Sequence, residues 1–135
     1  MSYIDHLGIA VKSLSEASKF YEQLGLQTLS EETVEAEKVR VAMVPLGDSR
    51  IELLEPSSPD STIAKFIEKR GEGLHHVALH VNDLAGTVER LKAAGTRLIS
   101  DDIKIGAGGH LYVFVHPSSA GGVLLELVED APQGV

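Results

Sequence analysis

The sequence predicts an α+β fold made of two βαβββ modules that form a mixed sheet around a metal-binding cleft. Three observations predict it. The stretch Asp5-His6-Leu7-Gly8-Ile9-Ala10-Val11 returns seventy residues later as His75-His76-Val77-Ala78-Leu79-His80-Val81. The same offset matches Leu14 with Leu84 and Gly25 with Gly95. A second pair of like segments closes each half, Ile51-Glu52-Leu53-Leu54-Glu55 and Leu125-Glu126-Leu127-Val128-Glu129. A repeat of this size implies near-equivalent halves, and neither half buries a sheet face well alone.

Each element has its own signal. Ile4 to Val11 is apolar and small throughout and reads as a strand. Ser13-Leu14-Ser15-Glu16 is a capping box and starts a helix that runs to about Leu24. Leu14, Ala17, Phe20, Tyr21 and Leu24 recur at three- and four-residue spacing and predict its buried face. Gly25 stands where a left-handed cap residue belongs. Leu26 to Val34 reads as the second strand, running into an acidic stretch, Glu31 to Glu37. Val39 to Leu46 is the third, Gly47-Asp48-Ser49 a turn, and Arg50 to Leu54 the fourth.

Pro56-Ser57-Ser58-Pro59-Asp60 is linker-like. It leads into a short amphipathic helix, Ser61 to about Arg70, with Ile63, Phe66 and Ile67 on one side. Gly71-Glu72-Gly73 ends that helix and the first pattern restarts. Gly73 to Val81 is a strand, Asp83 a helix N-cap, and the next helix runs to Ala94. Arg97 to Ser100, Leu111 to His116 and Val123 to Val128 supply the remaining strands. The Gly-rich loop Ile105-Gly106-Ala107-Gly108-Gly109-His110 interrupts them. The modules are therefore about 3–56 and 73–130, joined by the helical linker 57–72, within one domain spanning 1–135.

A chain of 135 residues suits one domain with a real core. With 43% hydrophobic and 24% charged residues, it has the profile of a globular protein. Cysteine is absent, so any metal must be held by histidine and carboxylates. The formal net charge is −8 and only three Phe and three Tyr are present. That balance argues against nucleic acid as a partner. No apolar run approaches the roughly 20 residues that span a bilayer. Nor is there a secretory signal at Met1-Ser2-Tyr3-Ile4-Asp5. The expectation is a cytoplasmic protein without a membrane partner.

His6, Glu52, His76 and Glu126 are the candidate metal ligands. Imidazole nitrogen with carboxylate oxygen suits borderline divalent ions such as cobalt, nickel, zinc, manganese or iron. His6 shares a strand face with Gly8 and Ala10, and His76 with Ala78, so small neighbours leave room over the sheet. A strand glutamate between apolar neighbours faces either solvent or a polar pocket. The joint occurrence of two His and two Glu at matched places points to the pocket. Four protein ligands in an octahedral set leave two positions for one chelating substrate. Such a site acidifies an adjacent C–H.

The paired modules and this four-residue set resemble the vicinal oxygen chelate superfamily. Several further segments resemble its methylmalonyl-CoA epimerase family: Ile51 to Pro56, Ser61 to Phe66, Gly73-Leu74-His75-His76, Lys104 to Gly109, and His116-Pro117 with Gly121 to Leu127. The likeness covers about residues 3 to 129. It implies exchange of the two C2 epimers of an acyl-CoA through a metal-stabilised enolate, a divalent ion with cobalt foremost, and a homodimer. Some members carry a glutamate acid/base on the third strand of the first module. The matching stretch here, Lys38-Val39-Arg40-Val41-Ala42-Met43, has no carboxylate. Glu126 and Glu37 are the remaining candidates for the base. The loop holding Gly106 and Gly108 reads either as a substrate-binding turn, with Lys104 beside it, or as a plain hairpin. Three rival functions are a glyoxalase I-type isomerase, a ring-cleaving dioxygenase and a metal-free binding protein of the same fold.

Overall fold

The computed structural model describes residues 2–29 and 31–130. Ser30, inside the expected second strand, lies outside the described residues, as do both ends of the expected 1–135 domain. The elements are β1 (Tyr3–Ala10), α1 (Leu14–Gln23), β2 (Glu32–Val34), β3 (Val39–Leu46), β4 (Ser49–Pro56), α2 (Thr62–Arg70), β5 (Gly73–His80), α3 (Leu84–Ala93), β6 (Lys104–Ile105), β7 (Leu111–Val115) and β8 (Leu125–Glu129). The two βαβββ modules are present, with α2 between them, and the fold is α+β.

The chain divides into two compact units. One is His6–His75, and the other joins the residues before His6 to His76 and those after it. In the first, the strands lie in the order β2-β3-β4-β1. β1 runs parallel to β4 while β3 is antiparallel to β2 and β4. In the second, the order is β5-β8-β7-β6, with β5 parallel to β8 and the rest antiparallel. Each parallel pair therefore joins the first and last strand of its module, which sets the repeated segments side by side.

The helices start as their caps dictate. Ser13 accepts the Glu16 amide at 3.2 Å, Ser61 the Ala64 amide at 2.9 Å and Asp83 the Gly86 amide at 3.1 Å. Gly25 and Gly95 follow α1 and α3 at φ 85° and 83°, a conformation that costs a side-chain-bearing residue about 1–2 kcal/mol. α1 packs Leu14 into a cluster with Val11, Ala42, Val44 and Leu53, flanked by Ala17 and Tyr21. Its expected apolar face is narrower than the spacing suggests, because Phe20 and Leu24 are 56% and 58% exposed. The sheet reaches only the side of the helix that carries Leu14, Ala17 and Tyr21. In the other module, α3 packs Leu84 and Val88 against Val113, Val115 and Leu127.

α2 does something different from the other helices. Ile63, Phe66 and Ile67 close over Ala10, Val39, Val41 and Leu54, one end of a sheet face in the first module. Two expected strands are shorter than their sequence patterns. Leu26 to Leu29 is irregular, although the Leu29 amide donates to the Met43 carbonyl at 2.8 Å. Arg97 to Ser100 reduces to one bridge, Leu98 to Val115. The polar run Ser100-Asp101-Asp102 stops it there, with the Asp102 amide donating to Ser100 Oγ at 3.3 Å. Regular pairing resumes at β6.

Candidate active site

Register places a histidine diagonally beside a glutamate in each module. Gly8 of β1 pairs with Glu52 of β4. Side chains alternate along a strand, so His6, two residues before Gly8, shares the face of Glu52. His6 Nδ1 lies 3.2 Å from Glu52 Oε2. The second module repeats the arrangement. Ala78 of β5 pairs with Glu126 of β8, and His76 stands two residues before Ala78. His76 Nε2 lies 3.0 Å from Glu126 Oε1. His6, Glu52, His76 and Glu126 are 4%, 8%, 6% and 8% exposed.

Burial of four such groups is costly unless each has a partner. Each His–Glu pair supplies one. The described residues thus include buried histidine and carboxylate groups that could hold a metal ion. Neutral imidazole and carboxylate, with no thiolate anywhere in the chain, fit a divalent ion of the cobalt-to-zinc series.

The two pairs are not identical. Arg50 Nε and Nη2 each stand 3.0 Å from Glu52 Oε2, the same oxygen that faces His6. Arg50 is the cross-strand partner of His6, so both side chains project from one face. In the second module the residue two before Glu126 is Leu124, which brings no charge. Sequence reading missed Arg50. Its signal was the i, i+2 spacing to Glu52, which puts two strand residues on one side.

Phe114 was also missed. It is the cross-strand partner of Glu126. Its ring meets His76 edge-to-face at 5.4 Å and Tyr112 at 5.8 Å. Tyr112 in turn lies against Gly106, where a Cβ would meet the ring at 3.0 Å. This apolar run connects the Gly-rich loop to the His76–Glu126 pair along one face of the sheet.

The loop itself has defined turns. The Gly106 amide donates to the His110 carbonyl at 2.8 Å and the Gly109 amide to the Gly106 carbonyl at 3.0 Å. Gly108 and Gly109 take φ 69° and 80°. Lys104 is exposed on β6, opposite Tyr112. Tyr112 pairs with Val128, two residues beyond Glu126. Lys104 therefore stands about 12 Å from Glu126, two strand spacings across the sheet and two residues along the strand.

Glu37 is elsewhere. It ends the 3₁₀ turn Glu35–Glu37 ahead of β3. Met43 of β3 is the partner of Glu52, so about 13 Å of strand separates Val39 from that level, and Glu37 lies further on. The structure does not bring it to the His6–Glu52 pair. His75 turns to α2, where its ring meets Phe66 edge-to-face at 5.0 Å. His116 caps the turn Pro117–Ser119 by accepting the Ser118 amide at Nδ1, at 3.0 Å. His80 is buried and stacks on Tyr3 with centroids 4.7 Å apart.

Known proteins resemble the chain along most of its length. Residues 5–114 match the model of the Glyoxalase/Bleomycin resistance protein/Dioxygenase superfamily. The chain is 40% identical over 126 residues to the mitochondrial methylmalonyl-CoA epimerase of Mus musculus, covering 92% of this chain and 71% of that protein. It is 37% identical over 127 residues to the ethylmalonyl-CoA/methylmalonyl-CoA epimerase of Cereibacter sphaeroides, covering 92% and 95%. Among solved structures, a variant methylmalonyl-CoA epimerase of Streptomyces coelicolor in complex with 2-nitronate-propionyl-CoA superposes with a TM-score of 0.90. Identity there is 34%, over 98% of this chain and 97% of that one.

Proposed function

This chain belongs to the methylmalonyl-CoA epimerases of the Glyoxalase/Bleomycin resistance protein/Dioxygenase superfamily, and from that premise we propose that it exchanges the two C2 epimers of methylmalonyl-CoA. The observation that carries the reading is the matched pair of buried His–Glu contacts, His6–Glu52 and His76–Glu126, in a chain so close to named epimerases. We take the two modules to work as one domain. His6, Glu52, His76 and Glu126 would together hold one divalent ion, with cobalt foremost and nickel, zinc and manganese as alternatives. When bound, that ion supplies positive charge against the oxyanion that develops as the C2 proton leaves.

The chain's own residues do the rest. Glu126, whose carboxylate is buried beside His76, takes the C2 proton from one face of the acyl group, and epimerisation follows when a proton is delivered to the opposite face of the planar enolate. Phe114 and Tyr112 keep water from that carboxylate. Gly106 and Gly108 expose backbone to the acyl-CoA, and Lys104 offers a cation to its anionic part. A homodimer in the cytoplasm completes the proposal. Among the described residues, no helix is long and apolar enough to cross a membrane.

The test is proton exchange at C2. In deuterated water the cobalt-loaded protein should incorporate deuterium into methylmalonyl-CoA and leave a glutathione hemithioacetal untouched. Turnover of the hemithioacetal with no exchange at C2 would put the protein with the glyoxalase I-type isomerases instead. Elemental assay of the reconstituted protein should find a stoichiometric divalent ion.

A further inference from the structure

We propose that Asp130 works with His80 and His110 as a proton-operated latch, which holds the Gly-rich loop in place and strengthens acyl-CoA binding at the acid end of the imidazole range. The effect on acyl-CoA rests on the epimerase reading above, while the latch itself does not. Three features carry it. His80 Nε2 and His110 Nδ1 face the same oxygen, Asp130 Oδ1, at 3.4 and 3.8 Å. The His80 side chain is only 9% exposed. Both its ring nitrogens, and Nδ1 of His110, are buried and make no hydrogen bond among the described residues, a state that buried polar atoms rarely keep. Finally, His110 is the foot of the loop. Its carbonyl accepts the Gly106 amide at 2.8 Å, and its ring lies so near Gly108 that a Cβ there would meet Cδ2 at 3.3 Å.

Register explains the convergence. His80 of β5 pairs with Val128 of β8, and Val128 with Tyr112 of β7. Asp130 stands two residues past Val128 and His110 two before Tyr112, so both continue the face of that row. The two contacts are longer than the roughly 2.7–2.9 Å of a charge-assisted hydrogen bond. A proton on either imidazole makes an ion pair with Asp130 and draws the contact tighter. Without that proton, the carboxylate faces two neutral rings. Other titratable groups stand on the neighbouring strands. Tyr3 of β1 stacks on His80, and Asp5 is buried two residues further along that strand. His76 and Glu126 contact each other, and Glu129 is turned to the Leu84 amide. Lys104 of β6 is a cation on the Tyr112 row, but it is exposed and therefore screened. Imidazole titrates in roughly the pH 5–8 range. A contact that favours the protonated ring is present at the acid end and is lost as pH rises. Three glycines within residues 106–109 make the loop costly to hold still, so a tie at its foot governs its order.

Hydrogen exchange at the Gly106 and Gly109 amides of the cobalt-loaded full chain tests the latch, at about pH 6 and about pH 8. Once corrected for intrinsic exchange rates, both amides should be about fivefold better protected at the lower pH in the wild type. The factor is modest because Asp130 is itself exposed. Asp130→Asn and His110→Gln should each keep the lower protection at both pH values. Calorimetric binding of methylmalonyl-CoA then tests the consequence. Affinity is read as the ratio of wild type to Asp130→Asn at one pH, so that protonation of the thioester or of the metal-site imidazoles cancels. That ratio should be about fivefold higher at pH 6 than at pH 8. Wild-type protection that ignores pH, or that changes equally in Asp130→Asn, would overturn the latch. Protection that behaves as expected beside an unchanged affinity ratio would overturn its effect on acyl-CoA. If the wild type binds no methylmalonyl-CoA at either pH, the epimerase reading fails and the acyl-CoA effect with it, while hydrogen exchange still decides the latch.

Discussion

Glu55 Oε1 accepts the backbone amide of Leu14 at 3.0 Å, tying the end of β4 to the first residue of α1. Glu129 does the same for Leu84 at the start of α3, also at 3.0 Å. The first amides of a helix have no partner inside it, and the helix dipole favours a carboxylate there. The last glutamate of each closing strand is therefore a remote cap that fixes helix to sheet. Glu129→Ala should cost about 1 kcal/mol, the scale of a lost N-cap. Glu55→Ala should cost somewhat more, because Glu55 Oε2 also meets Arg40 at 2.9 Å. Thermal melts of the two variants check both the size and the order.

That device marks where sequence reading stops. The repeat showed Glu55 and Glu129 to be equivalent, yet not what they hold, because the Leu14 and Leu84 amides are 41 and 45 residues away. His6, Glu52, His76 and Glu126 stood out because a strand repeat preserves side-chain alternation. Their pairing inside each module needed register, Gly8 with Glu52 and Ala78 with Glu126. Register comes from strands far apart in sequence. Arg50 and Phe114 were hidden for the same reason, since each matters through a cross-strand neighbour. Helix starts were easier, because Ser13, Ser61 and Asp83 act within three residues. Phe20 and Leu24 misled because spacing shows which side of a helix is apolar, not how far the sheet extends beneath it.

Metal binding should appear as stability. An ion that binds only the folded chain adds about 2.7 kcal/mol at a free concentration 100 times its dissociation constant. Titrating cobalt, nickel, zinc or manganese into chelator-treated protein should raise the melting temperature, and a chelator should reverse it. His76→Ala should abolish that increment, since it removes a buried imidazole beside Glu126. An increment that survives in His76→Ala would place the ion elsewhere.

The linker offers a prediction in acid. Lys38 and Asp60 form an ion pair, Ser58 Oγ also donates to Asp60, and the Ser57 amide donates to the Lys38 carbonyl at 2.9 Å. The hydrogen bond from Lys38, then that from Ser58, hold the Asp60 carboxyl at about 2, below its ordinary 3.8. A depressed folded value means the contribution is present above the unfolded value and lost as pH falls. It should therefore fade between about pH 4 and pH 2. Lys38→Met should move the Asp60 titration midpoint upward toward its ordinary value, followed by carboxyl NMR.

Glu126 and Glu37 make opposite predictions about the proton. Glu126 is buried against His76 and Phe114, where a carbon within about 3 Å of its carboxylate is shielded from water. Glu37 sits on a turn ahead of β3, beyond the reach of the His6–Glu52 pair. Glu126→Gln keeps the shape and removes the base, so exchange at C2 should slow by about 10²–10⁴. Glu37→Gln should leave the rate within about twofold. Because Glu126 is also a proposed ligand, the loss must be read with saturating cobalt and with cobalt binding confirmed by titration. A slow Glu126→Gln enzyme that still binds cobalt and methylmalonyl-CoA has lost its base. One that has lost cobalt owes its slowness to the metal site. A collapse in Glu37→Gln would move the base to the first module and require β2 and β3 to carry their turn toward the substrate.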